Sequence, residues 1–198
     1  MFFAKSDNKT DYIEYKGITF EVVKRKVRYF RVEFKSRIPK MILPYGTDPG
    51  KILVENFPRI RKKYDGFLDH MENADRLDFI KREKEEFENI INDLVLSYSD
   101  ELKVTVRLIK YRKMRRMWGN CRSNGVITLN SKLSFLPIRI ISYILYHEML
   151  HLSERGGHSI KFRRRMRKKF TDQKSIETVL KAYFIKFDNE DVNIKNSL

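Results

Sequence analysis

Residues 146–158 read YHEMLHLSERGGH and hold three of the chain's four histidines. The first two, His147 and His151, stand four apart inside IRIISYILYHEMLHL, a stretch that follows Pro137 and is apolar nearly all round. A helix of that pattern has to be buried, and residues four apart on it share a face. Both imidazoles therefore lie close enough to bind one metal ion, while Glu148, one step round, reaches a water beside the metal more easily than the metal itself. The spacing has a chemical purpose: zinc lowers the pKa of a water to about 7, and a neighbouring carboxylate takes the remaining proton as the oxygen attacks a carbonyl carbon. The plainer alternative is a pair of core histidines hydrogen-bonded to backbone or acids. With four histidines and fourteen glutamates in 198 residues, chance seldom produces H-E-x-x-H, and a third histidine so near favours the metal.

Such a site needs a third protein ligand and one open position. His158 is the first choice, with Glu154 or the more distant Glu177 as substitutes. Gly156 and Gly157 before it can adopt positive φ, end the helix and turn the chain back. Metzincins carry glycine three residues after the second histidine and their ligand three later; Glu154 occupies that glycine position, so the chain is not one of them.

The remaining composition narrows the alternatives. One cysteine, Cys121, excludes an internal disulfide and a multi-thiolate zinc site; it reads as a small packed residue. No run approaches the roughly 18 consecutive apolar residues of a membrane span, and the first residues lack the features of a secretory signal, so a cytoplasmic protein with no membrane contact is expected. The net charge of +16 is clustered. Residues 16–63 hold fourteen Lys or Arg against four acids, and residues 103–116 and 161–169 hold seven cations each and no acid. These blocks admit a nucleic-acid partner or solvated basic faces, and no particular residue is marked as a nucleic-acid contact. Hence the second functional reading: a basic nucleic-acid-binding protein whose zinc is structural or vestigial. Asp69-His70 reads as an ordinary surface pair rather than a second metal site.

Residues 16–45 alternate apolar and charged side chains around Phe20, Val22, Val27, Tyr29, Phe30, Val32 and Phe34, which predicts two or three antiparallel strands with one wet face. Pro39 and Pro44 confine KMIL to an edge or end it. A helix is expected up to Asn56 and a second from Pro58 towards Tyr64. Apolar residues from Leu77 to Leu94 recur at helical spacing and predict one long amphipathic helix over 73–96. Residues 102–110 and 126–130 read as strands, 159–169 as a basic helix and 176–187 as a last amphipathic one. The organisation expected is a basic β-rich lobe over 1–70, a connecting helix over 71–98, a catalytic domain over 99–187 and a frayed polar tail over 188–198.

The stretch MWGNCRS at 117–123, GVITLN at 125–130, Pro137, Tyr143, HEMLHL and GHSIKF at 157–162 together resemble the YgjP-like metallopeptidase family, a relative of the SprT and WLM zinc proteases. The resemblance extends in layout over about residues 16–170 and is specific over 117–162. Met117 stands where the family has arginine, Asn120 where it has serine, Arg163 where a second aromatic often follows, and His158 lies seven rather than six residues after His151. The resemblance implies an α+β fold: a zincin-like metallopeptidase domain with an active-site helix and a small antiparallel sheet, preceded by the basic β-rich lobe. It implies one zinc ion per chain on His147, His151 and His158, Glu148 as the general base, and hydrolysis of protein or peptide substrates. Zincins line their cleft with an edge strand, which makes Trp118, Gly119, Asn120 and Asn130 candidates for the substrate-cleft rim, although Trp118 and Gly119 taken by themselves read first as core and turn residues. Tyr143, Tyr146 and the arginines after His158 stand nearest in sequence for the oxyanion.

Overall fold

The computed structural model describes residues 3–7, 10–154 and 157–196; Arg155 and Gly156, the first half of the expected turn, lie outside them, as do Ser197 and Leu198 of the expected tail. The chain is α+β and divides into two compact units, residues 1–77 with 181–198, and residues 78–180.

In the first unit, strands β1 (Phe3–Asp7), β2 (Thr10–Tyr15), β3 (Ile18–Arg25), β4 (Arg31–Glu33) and β5 (Lys40–Pro44) form one sheet in the order β1-β2-β3-β5-β4. The predicted alternation is visible in β3, where Ile18, Phe20 and Val22 are buried. The sheet is larger than predicted, and β3 and β5 run parallel rather than antiparallel. Nor is β5 an edge: it lies between β3 and β4, because Pro39 and Pro44 flank its apolar centre instead of interrupting its ladder. Helix α1 (Pro49–Asp75) starts at Asp48, whose carboxylate caps the Gly50 amide at 2.8 Å. It runs through Pro58 without a break. A proline removes one intrahelical bond, whereas Leu53, Phe57 and Ile60 bury a shared face against Ile13, Phe20 and Met41, each such side chain contributing about 1.5–3 kcal/mol. Packing wins.

In the second unit, helix α2 (Lys84–Leu102) begins well after the predicted start of the long helix. Residues 77–83 are drawn out of helical conformation by tertiary bonds: the Ile80 amide donates to the Phe135 carbonyl at 2.9 Å, and the Arg82 guanidinium donates to the carbonyls of Ser134 and Leu136. Strands β6 (Leu108–Arg112), β7 (Gly119–Cys121) and β8 (Val126–Asn130) form a sheet in the order β6-β8-β7. This sheet is mixed, a correction to the antiparallel one expected: β7 is antiparallel to β8, but β6 is parallel to it. The cause is residues 113–118, which carry the chain across β8 from one side to the other. A 3₁₀ turn (Ser131–Phe135) leads to α3 (Ile138–Ser153), buried on nearly every side as its composition predicts. Helix α4 (Ile160–Lys169) follows, and α5 (Gln173–Asn196) continues further than predicted, through the stretch expected to fray. Among the described residues no helix is long and apolar enough to cross a membrane.

Candidate active site

Helix α3 presents His147 and His151 on one face, with ring centroids 5.1 Å apart. The chain then leaves the helix at Glu154 and turns through Gly157, whose φ of +78° is the left-handed conformation that glycine adopts without strain. His158 returns its ring to within 4.9 Å of His147 and 5.0 Å of His151. The Nε2 atoms of His147 and His158 are 3.0 Å apart, and one nitrogen from each of the three rings lies within 4.8 Å of the others. The longer spacing to His158 has not kept its ring from the cluster. Ser159 caps α4 immediately afterwards, its hydroxyl accepting from the Phe162 amide at 3.1 Å. That cap seats Phe162, itself buried, beneath all three imidazoles at centroid distances of 5.0, 4.7 and 4.9 Å.

Burial, helped by neighbouring imidazoles, favours the neutral forms of His147 and His151. Burial, then the neighbouring His151 and His158, push His147 down to about 4, and burial followed by His158 lowers His151. Neutral imidazole is the form that binds metal. Three nitrogens in tetrahedral coordination at about 2.0–2.1 Å from one ion are roughly 3.3 Å apart, a separation these rings span already. Glu148 is 7% exposed, and no donor among the described residues bonds its carboxylate. Burial alone raises it to about 7. An uncompensated buried carboxylate next to three convergent imidazoles fits a cation and a water between them.

Close to Glu148 runs β7, an edge strand of its sheet. A Cβ built on Gly119 stands 2.8 Å from Glu148 Cγ and 3.0 Å from its Oε1, closer than real side chains approach. Position 119 is therefore glycine because β7 lies against the carboxylate. The sequence carried this signal, since a glycine inside a strand marks close backbone approach. Asn120 sits beside it, half-buried, on the same strand. Asn130, expected on the rim, is fully buried, a correction with a clear cause. Its side-chain amide donates to the Met114 and Met117 carbonyls, both at 2.8 Å, and its oxygen accepts from the Lys132 amide at 3.2 Å. It pins the crossover that delivers Trp118 and Gly119. Trp118 is buried as well, and its carbonyl accepts from the Asn130 amide at 2.8 Å.

Among the described residues none of the other candidates joins the metal-sized group, although the Tyr143 ring lies 6.4 Å from that of His147. Glu154 turns to Arg165 and Lys161, at 2.9 and 3.0 Å, and these cations hold its carboxyl below the usual range. Glu177 accepts from Tyr143 at 3.0 Å and from Gln173 at 2.7 Å. Tyr146 donates to Glu101 at 3.2 Å, and both tyrosine hydroxyls are pushed up, chiefly by burial. Burial, then Glu148, raises the Cys121 thiol to about 11, so it stays protonated. His70 belongs to no metal-sized group; among the described residues only His147, His151 and His158 form one.

A model of the YgjP-like metallopeptidase domain matches residues 57–183, more than half of the chain. No curated protein sequence matches it. Two solved structures are similar in part. The crystal structure of the metallopeptidase zymogen of Pyrococcus abyssi abylysin is 26% identical, with a TM-score of 0.40, over 44% of this chain and 87% of that one. The metallopeptidase zymogen of Methanocaldococcus jannaschii jannalysin is 21% identical, with a TM-score of 0.40, over 52% of this chain and 91% of that one.

Proposed function

The chain belongs to the YgjP-like metallopeptidase family, and on that premise we propose that it is a zinc-dependent peptide hydrolase with His147, His151 and His158 as metal ligands and Glu148 as general base. The observation that carries this reading is the convergence of three imidazole nitrogens beside a buried carboxylate that has no other partner among the described residues. A zinc ion held there supplies Lewis acidity, polarising a carbonyl oxygen and bringing the pKa of water to about 7. The protein's own groups do the rest. His147 and His151, whose neutral forms are favoured by burial, offer lone pairs rather than protons. Glu148, raised towards neutrality, is matched to accept a proton from water as it attacks the carbonyl carbon, and to release it to the departing amine.

Strand β7 supplies the orientation. It is an edge strand, so its outer main-chain groups can take an extended peptide as a further strand. The missing side chain at Gly119 lets β7 pack against the carboxylate, and the half-buried Asn120 continues the rim beside it. Main-chain pairing of this kind reads backbone rather than sequence, which suits a broad range of unfolded segments.

Metal analysis of purified protein tests the site first: one zinc per chain is expected, and none in His147→Ala, His151→Ala. Absence of stoichiometric zinc, or zinc undiminished in that double variant, would sink the assignment. Glu148→Gln then tests the chemistry on an unfolded protein substrate. It should keep its zinc and lose about 10²–10⁴-fold in turnover, the usual contribution of a general base; turnover equal to wild type would exclude the role.

A further inference from the structure

Helix α4 carries seven cations and no acid in ten residues. They are not equivalent. Phe162 and Met166 form its buried stripe. The cations flanking that stripe are paired: Lys161 and Arg165 with Glu154, and Lys169 with Glu101. The four opposite it, Arg163, Arg164, Arg167 and Lys168, are exposed and have no hydrogen bond or ion pair among the described residues. At one hundred degrees per residue they occupy a single outward face. Arg163 with Arg167, and Arg164 with Lys168, are like-charge pairs at i,i+4, which disfavour a helix. Arg163 and Arg164 stand too near the helix N-terminus for the macrodipole to repay them, and the first turn has no acid. The face is electrostatically unfavourable as it stands and is relieved by a polyanion.

We propose that the outward face of α4, formed by Arg163, Arg164, Arg167 and Lys168, docks the phosphodiester backbone of a nucleic-acid duplex. Chemistry narrows the occupant. A bilayer would be held by surface charge alone, because the apolar face of α4 is already buried in the protein core and cannot insert. A single strand would need exposed aromatic rings for base stacking, and this face has none. Three of the four cations are arginines, whose forked guanidinium matches phosphate in two-point contact. Arg164 and Lys168 also line an open groove with Arg165, Lys169, Tyr146 and Glu101, which extends the basic surface sideways. A second exposed basic block, including Arg107, Lys110, Arg112, Arg115 and Arg116, lies in the same unit and suits a partner longer than a short acidic peptide.

The position matters because the other face of α4 bears Phe162, which supports the three imidazoles. One helix thus joins the docking surface to the candidate metal centre, although binding itself does not depend on that centre being catalytic.

The test is binding of the full chain to a short mixed-sequence DNA duplex, followed by fluorescence anisotropy across a salt series. Wild type should bind with an affinity that falls linearly on a log–log salt plot. Replacing Arg163, Arg164, Arg167 and Lys168 together by Gln should weaken binding at least tenfold and flatten the slope by about one per residue. The double variant Arg164→Gln, Lys168→Gln should lose about half as much slope and carries the test if the quadruple variant does not fold. Removing the same charge from Lys24, Arg25, Lys26 and Arg28 in the other unit should leave binding near wild type. The proposal is overturned if the α4 variants bind as wild type does, or if that control loses as much. It is equally overturned if salt has no effect, or if a single strand or polyglutamate binds more tightly than the duplex.

Discussion

The candidate centre is built from two halves held in different ways. His147, Glu148 and His151 project from α3, a helix enclosed by core side chains on almost every side. His158 stands on a turn, is exposed, and owes its direction to Gly157, to the Ser159 cap and to the Phe162 ring below it. The first half is fixed by the fold of the whole unit, the second by a few local contacts. Position on a buried helix gives precision without special residues, whereas a turn requires a cap, a glycine and an aromatic floor to reach the same precision.

If the halves differ in this way, they should fail differently. The largest effect is expected from His147→Ala, which should abolish zinc binding and turnover, while His158→Ala leaves two ligands on a rigid helix and should retain weakened binding. Titration with zinc under a competing chelator separates the two, and equal loss would erase the distinction. Next comes Phe162→Ala. Removing a buried phenyl costs about 3–5 kcal/mol of stability. It should also weaken zinc binding at least tenfold, whereas Met166→Ala, equally buried on the same helix, should destabilise without that change in affinity. Denaturant unfolding read beside zinc titration shows which applies. If both variants lose metal alike, α4 supports the site only by being folded.

Smaller is the effect of Gly119→Ala. The added Cβ meets the Glu148 side chain at 2.8 Å, so the carboxylate must shift. Zinc should remain, because no imidazole is touched, and turnover should fall about tenfold, or ~1.4 kcal/mol in the barrier. Zinc loss comparable to that of Phe162→Ala would show that β7 supports the ligands rather than the base.

The same division governs how much could be read from the sequence. The α3 half was legible in full, because helical periodicity places His147, Glu148 and His151 without knowledge of anything distant. His158 was legible as a residue but not as a geometry, since the spacing of a turn does not give a direction. Phe162 drew notice only within a family-like pattern, though S-x-x at its start is a helix cap. Asn130 was misplaced: an asparagine closing a strand looks like a surface residue, and only the crossover of 113–118 reveals two carbonyls waiting for its amide. In the fold, β3, β8, α3 and α4 follow from local pattern, whereas the break at 77–83 and the parallel pairing of β6 with β8 arise from contacts distant in sequence.

The gentlest test uses metal-free protein and sets Glu148 against His147. His147 titrates at about 4 in the folded protein against about 6.5 unfolded. Between these values the unfolded chain binds more protons, so this group's share of stability is full above pH ~6.5 and is lost as pH falls towards 4. Glu148 is the mirror image. It titrates at about 7 folded against 4.5 unfolded, so the folded state binds more protons in that window, and stability is lost as pH rises through it. In wild type the two trends oppose each other. Glu148→Gln removes the falling trend, so its stability, relative to wild type, should climb as pH rises from about 4.5 to 7; His147→Gln should decline over the same span. Denaturant unfolding in chelator at several pH values measures both differences. Opposite tilts would mean that the metal-free site holds His147 neutral beside a protonated Glu148, and parallel tilts would mean that metal-free α3 opens enough for water to restore ordinary titration.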